Sequence, residues 1–236
     1  MRNHRVSRLG LWLLAGLGIS HACYAEDNRS VYLDWQSRYI SEGRDNLPSG
    51  GIVWSGFDYQ QGSLLLFERQ GVATSEDFIE FNGGIGYQQQ LADWLFTGNY
   101  TRLEFFGDER SKDNELALQI DYQALDWLTP SLLYTYATEA TGGFLELALT
   151  GHWPLNAHVS LMPYIVQAWD FGYASDDFDG PNNLQFGLMS DVLLSPTLTL
   201  SWHISRTIAM RDIQHELGDA CHEQQTFGGI SLAYQF

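Results

Sequence analysis

Hydrophobic and polar residues alternate along most of the chain, in stretches of about ten residues separated by breaks. The first stretch shows the pattern. Val31, Leu33 and Trp35 fall on one face of an extended chain, and Asp34 and Gln36 fall on the other. This period of two predicts β-strands that each have one apolar and one polar face.

Counted in this way, the chain contains twelve strands, with ten or fourteen as the alternatives. Their predicted ranges are 30–42, 51–59, 62–69, 77–89, 94–106, 114–123, 129–138, 143–153, 158–170, 183–194, 197–208 and 225–236. An even number of strands is what a barrel made by one chain requires when both chain ends lie on the same side. The stretch from Leu64 to Phe67 is apolar on both faces and does not fit the alternation. The change of face between Tyr100 and Leu103 predicts either a bulge or an error in the assigned register.

The breaks alternate between compact turns and longer polar loops, as in membrane barrels with short periplasmic turns and long extracellular loops. Aromatic residues near both ends of the strands predict two girdles, with Trp94, Trp127 and Trp153 beside short turns and Tyr39, Tyr136 and Trp169 towards the loops. The predicted fold is therefore all-β, a single transmembrane antiparallel up-and-down barrel. The alternative is a soluble sandwich or a lipocalin-like barrel. The many large apolar residues on the oily faces would be difficult to fit into one core.

The chain ends in GGISLAYQF, in which Ile230, Leu232, Tyr234 and Phe236 share one face. A strand that continues to the last residue must be held by a neighbour, and the first strand is the expected one. An aromatic residue at the end and another two positions earlier are typical of the last strand of outer-membrane barrels. The assembly machinery that closes such barrels reads this strand.

The N-terminus carries basic residues and then an apolar run from Leu9 to Ile19. This pattern predicts a cleaved secretory signal peptide at 1–25 and a mature barrel at 26–236. Cleavage would remove Cys23 and leave Cys221 alone, so no disulfide within the mature chain is expected.

The chain has 29 acidic and 12 basic residues, which gives a formal net charge of −17. Such a charge argues against a nucleic acid partner. No stretch beyond the signal peptide has the roughly 18 apolar residues that a membrane helix needs.

Four segments resemble a family of small outer-membrane β-barrels catalogued as porins: SRYISEGRDNL at 37–47, LDWLTPSLLYTY at 125–136, GGFLELALTG at 142–151 and PNNLQFG at 181–187. The resemblance implies the barrel fold and the bacterial outer membrane, but no cargo. Related sequences often have Arg before the Gly of the first segment. Here Glu42 precedes Gly43 and Arg44 follows it, so no ligand role is carried over for this turn.

Alternation predicts a lumen lined by more acids than bases: Asp34, Gln36, Arg38, Glu80, Asn82, Glu115, Gln119, Asp121, Glu146, Asp191 and His203. Such a lining would favour cations in a water-filled pore, or would be cross-linked by Arg38, Arg102 and Arg206 in a plugged one.

Two pairs, His158 with Ser160 and His203 with Ser205, raise the hypothesis of a lipid hydrolase. This hypothesis requires a pair that is exposed to lipid. The loop from His215 to Glu223 contains several potential metal ligands without a diagnostic spacing, and SDDFDGPN matches part of a calcium loop. A solvated acidic loop is the simpler interpretation, so no metal site is assigned.

The first functional hypothesis is a narrow, weakly cation-preferring channel for small solutes. The alternatives are an enzyme that acts on lipid or lipopolysaccharide and a non-conducting structural or adhesive barrel. Outer-membrane lipid, lipopolysaccharide and the barrel-assembly machinery are the other expected partners. No cofactor is expected, and the oligomeric state is left open.

Overall fold

Twelve long strands, each paired with the next in antiparallel fashion, form the body of the molecule. The computed structural model describes residues 27–107, 110–176, 179–218 and 224–236, so the predicted signal peptide lies outside the described residues. The strands are β1 (Asn28–Gln36), β2 (Ile52–Gln61), β3 (Leu64–Ala73), β4 (Ile79–Leu91), β5 (Trp94–Phe106), β6 (Ser111–Tyr122), β7 (Leu128–Ala137), β8 (Gly142–Gly151), β9 (Val159–Phe171), β10 (Gly180–Ser195), β11 (Leu198–Ala209) and β12 (Gln225–Gln235).

The sheet closes on itself because β12 pairs with β1. Leu232 lies opposite Leu33, Tyr234 lies opposite Val31, and the amide of Phe236 donates to the carbonyl of Arg29 over 2.9 Å. The first strand is therefore the neighbour that holds the chain end, as predicted. The count of twelve is confirmed, which excludes ten and fourteen.

Four short elements accompany the barrel in the described part of the chain. Ile40–Ser41 and Arg44–Asp45 form a small hairpin between β1 and β2, and Trp153–Pro154 pairs with the start of β9. The helix α1 (Arg211–Leu217) follows β11 and ends at Gly218, which has φ +80°. Within the described part of the chain, no helix is long and apolar enough to cross a membrane.

The outer wall is apolar and open to its surroundings. Leu33, Ile85, Leu116 and Ile204 each project outward with about half of their surface exposed. An apolar face that continues around a whole barrel has a much larger area than the exposed apolar patches of soluble monomers. Such a face fits a lipid environment. Trp94, Trp127 and Trp153 are exposed beside the short turns, at the predicted periplasmic girdle.

The bulge offered as one explanation for β5 was wrong, because the register with β4 and β6 runs without a shift. The apolar face changes there because Leu103 and Phe105 point into the barrel. They pack in an apolar cluster with Tyr39 and Trp54. The structure instead shows register shifts at Ala168/Trp169 and Leu193/Ser195.

Candidate functional site: the lumen and its external plug

Ten of the eleven predicted lumen residues lie on the inward faces of the strands. Inward positions alternate with the exposed outward positions along each strand, and adjacent strands bring inward residues opposite one another. The ten are Asp34, Gln36, Glu80, Asn82, Glu115, Gln119, Asp121, Glu146, Asp191 and His203.

Arg38 differs from this expectation, because β1 ends at Gln36 and not at residue 42. Its side chain is 45% exposed in the loop after β1, where it pairs with Asp45 over 2.7 Å. Tyr39, predicted for the outer girdle, is fully buried inside the barrel. The loop therefore turns inward at a point where the sequence pattern suggested a continuing strand.

The small hairpin lies inside the extracellular end of the barrel. Its two central residues, Glu42 and Gly43, have φ values of +45° and +75°, the left-handed conformation that the tightest hairpin turns require. Glycine adopts this conformation without strain, whereas glutamate does so less readily. Both Glu42 and Arg44 are buried, at 7% and 4% exposure. We call this hairpin, together with α1, the external plug.

Arg44 joins the two parts of the plug. Its guanidinium donates to Asp212 over 2.8 Å and to Glu216 over 2.9 Å, both in α1. It also donates to the Asn182 side chain over 2.8 Å and to the carbonyl of Glu42 over 2.9 Å. A buried guanidinium needs this many hydrogen-bond and ion-pair partners, because an unpaired charge is costly away from water.

Two tyrosines from extracellular loops reach acids on the inner wall. The Tyr39 hydroxyl donates to Glu80 of β4, and the Tyr173 hydroxyl donates to Glu115 of β6. Both phenols are buried. The loops therefore contact the lumen acids directly and narrow the extracellular half of the barrel.

Burial controls the titration of the plug. It raises the pKa of Glu42 well above its usual value, and the charges of Glu115 and Glu146 raise it further, whereas the hydrogen bond from Ser41 and the charge of Arg44 oppose the rise. Burial also raises the pKa of Asp212 to about 6, with Asp170 adding to the rise and the Arg44 hydrogen bond opposing it.

Basic residues are scarce on the inner wall. Arg69 of β3 faces inward and lies with its guanidinium carbon 5.9 Å from the ring centre of Tyr32. Arg102 and Arg206, which were expected to cross-link the lumen, instead project outward. Arg102 pairs with Glu104, and Arg206 donates to Thr226. The inner wall therefore keeps an excess of acids.

The pair of His203 and Ser205 lies in the lumen, where the two side chains are 3.1 Å apart. Ser205 is 2% exposed and also accepts a hydrogen bond of 2.6 Å from Tyr164. This position removes the access to lipid that the hydrolase hypothesis requires. His158 and Ser160 lie at the periplasmic end, where β9 begins.

Among the described residues, no three His, Cys, Asp or Glu side chains converge closely enough to hold a metal ion. Residues 219–223, with Cys221, lie outside the described residues. Asp177 of the partial calcium pattern is also outside them.

Alternation could not identify the residues of the plug as functional. Arg44, Tyr173 and Asp212 lie in loops or in α1, where no period applies.

Comparison with known proteins shows the same architecture at low sequence identity. The chain is similar to the KdgM porin in complex with disordered oligogalacturonate, with a TM-score of 0.60, 8% identity and coverage of 89% of this chain and 99% of that one. It is similar to the NanC porin, with a TM-score of 0.54, 9% identity and coverage of 87% and 98%. It is also similar to an outer-membrane channel from Pseudomonas putida F1, with a TM-score of 0.53, 9% identity and coverage of 93% and 98%.

No protein-family model and no curated protein matches the chain. The likeness therefore defines the class by fold: a closed, twelve-stranded β-barrel of the kind found among porins of the bacterial outer membrane.

Proposed function

We propose that this protein is a narrow, porin-like channel for small solutes with a weak preference for cations. The observation that supports this most directly is the closed barrel with an acid-rich inner wall, whose inward carboxylates include Asp58, Asp121 and Asp191. Acidic residues along a water-filled pore attract cations and repel anions.

The acid-rich wall also favours a cargo unlike that of the KdgM complex. Oligogalacturonate is a chain of sugar acids, and its carboxylates would meet like charges in this lumen. Neutral or cationic solutes fit the charge of this barrel better.

The proposal is tested by measuring the reversal potential of the refolded mature barrel in planar bilayers with a KCl gradient. We expect cation preference in the wild type and a reduced preference in the triple variant Asp58→Asn, Asp121→Asn, Asp191→Asn. All three side chains lie away from the plug. Glu68→Gln is the matched control, because Glu68 faces outward from β3. Anion preference, or the same loss in the control, would contradict the proposal.

A non-conducting structural barrel is the second candidate, and the buried plug is the observation that favours it. This candidate would be supported if the folded wild-type barrel carries no current at any voltage and a barrel whose plug has been disrupted by mutation carries none either. The position of His203 and Ser205 argues against the lipid-modifying enzyme.

Outer-membrane lipid and lipopolysaccharide are the proposed surroundings of the apolar wall. The barrel-assembly machinery is the proposed reader of the last strand, since Tyr234 and Phe236 remain exposed on its outer face. Replacement of Phe236 with Ala should slow insertion into the membrane without changing the conductance of barrels that have been refolded in vitro.

A further inference from the structure

Several oxygen atoms beneath the plug are buried without a hydrogen-bond partner. They are the second carboxylate oxygens of Glu42 and Glu115 and the hydroxyl of Thr101, all excluded from solvent. Thr101 is 2% exposed and Glu115 is 1% exposed. Buried polar atoms are almost always paired, so two unpaired carboxylate oxygens, which accept when ionised, together with an unpaired hydroxyl indicate a missing donor.

These acceptors lie in one region of the lumen. Thr101 of β5 is the register partner of Glu115 of β6, so the two side chains stand side by side on the inner wall. Glu42 comes from the hairpin above them, near enough for the charges of Glu115 and Glu146 to act on it. Glu146 of β8 also faces the lumen, and its charge acts on Glu42.

The neighbouring bases do not neutralise this group. The guanidinium of Arg44 is directed towards Asp212, Glu216 and Asn182. The hydroxyl of Tyr173 satisfies one oxygen of Glu115 and leaves the other free. A positively charged donor would satisfy both the charge and the unpaired oxygens.

We propose that this space binds the ammonium group of a small organic cation, with Glu42, Glu115 and Thr101 accepting its N–H donors and Glu146 adding negative charge. An ammonium group offers three donors, which matches three separate acceptors. The inference extends the proposed function by naming a solute class, and it relies on the channel only as the route of entry.

An ammonium ion fits this site better than a metal ion does. Calcium requires several oxygens at about 2.3–2.6 Å, whereas charged N–H donors reach acceptors at about 2.7–2.9 Å and so accommodate oxygens that are further apart. In the described part of the chain, the acids do not converge as a metal requires.

Calorimetric titration of methylammonium into the detergent-refolded barrel tests the inference. We expect saturable binding in the wild type that weakens by about tenfold or more in Glu115→Gln and Thr101→Val, because each change removes an acceptor of a charged donor. Glu68→Gln is the control, since Glu68 faces outward from β3 and does not line the lumen. Tetramethylammonium, which has no N–H donor, should not bind.

The absence of saturable binding would overturn the inference. Equal affinity for methylammonium in Thr101→Val and in the wild type would overturn it as well. Valine has nearly the same shape as threonine, so Thr101→Val still tests the inference if Glu115→Gln fails to fold. If Ca²⁺ binds more tightly than methylammonium and is weakened by the same two substitutions, the site is a metal site and the inference is overturned. Because the titration needs no current, a barrel that binds but does not conduct contradicts the proposed function alone. One that conducts but does not bind contradicts this inference alone.

Discussion

The two halves of the lumen are held together in different ways. In the periplasmic half, hydrogen bonds join residues on the same or adjacent strands, such as Gln119 to Asp121 at 3.0 Å and Ser201 to Asp191 at 2.6 Å. In the extracellular half, Arg44 binds Asp212, which is 168 positions away. The wall is thus stabilised by neighbouring strands, whereas the plug depends on contacts between distant loops. We therefore expect that the plug opens while the wall remains closed.

The largest expected effect comes from Arg44→Ala. The change leaves the carboxylate of Asp212 buried without its partner, and breaking a buried ion pair in this way costs about 3–5 kcal/mol. We expect the hairpin to leave the lumen, and hydrogen exchange at residues 40–45 and in α1 should become much faster. The strands should exchange as before. Arg38→Ala removes only an exposed pair with Asp45 and serves as the control; equal exchange in the two variants would contradict the role of Arg44.

Gly43→Ala is expected to have the next largest effect. A Cβ atom at Gly43 would lie 2.7 Å from the Cβ of Asn183, and the φ of +75° disfavours alanine. Gly62 also has a positive φ, +57°, but its Cβ would have nothing within 4 Å. Both variants carry a backbone cost of about 1–3 kcal/mol, and only Gly43→Ala adds a steric clash. Faster exchange of α1 should therefore appear in Gly43→Ala and not in Gly62→Ala, and the reverse would rule out close packing of the hairpin.

Acid should favour the closed plug. Burial raises the pKa of Asp212 to about 6 and that of Glu42 well above its usual value, and both should fall to about 4 when the hairpin is released into water. The closed state then binds more protons. The share of its advantage that comes from Asp212 is fully present below about pH 4 and is lost as the pH rises through about 6, and the share from Glu42 is lost as the pH rises through its own raised pKa. Protonation weakens the attraction between Asp212 and Arg44. It also removes the cost of burying a charged carboxylate, and this second effect is the larger one.

Conductance should accordingly fall between pH 7 and pH 4. The groups that face Asp212 are Arg44, Asp170 and Glu216, and those that face Glu42 are Ser41, Arg44, Glu115 and Glu146. The double variant Glu42→Gln, Asp212→Asn should flatten the response. A conductance that increases on acidification would show that loss of the ion pair outweighs burial.

The smallest effect is expected from Ser201→Ala. This change removes one hydrogen bond to Asp191 within the wall, which costs about 1 kcal/mol. Urea unfolding in detergent should show a small loss of stability, and hydrogen exchange of the plug should not change. A change in the plug would mean that the two halves of the lumen are coupled.

The strands could be predicted from the sequence because the alternation of apolar and polar residues within one strand already distinguishes its two faces. All twelve were found, and β5 was predicted at its observed bounds, 94–106. The first strand was extended too far because Tyr39 keeps the apolar phase of β1 although it lies in the lumen. Leu103 and Phe105 suggested a bulge because they face inward beneath the first loop.

The plug could not be predicted in this way. Arg44 and Asp212 meet only because the barrel brings the first and last loops together, and no local period records such a contact. Alternation predicted that the lumen acids face inward, and the structure places them on the inner wall. The unpaired hydroxyl of Thr101 becomes visible only when the neighbours of each buried oxygen are known.

Single-channel conductance of the refolded mature barrel, wild type beside Arg44→Ala, is the most direct test that this is a channel narrowed by its plug. We predict small, cation-selective steps in the wild type and larger steps in Arg44→Ala, with Arg38→Ala equal to the wild type. Identical steps in all three proteins would show that the plug does not limit the pore, and the absence of current in all three, with the barrel folded, would contradict the channel itself.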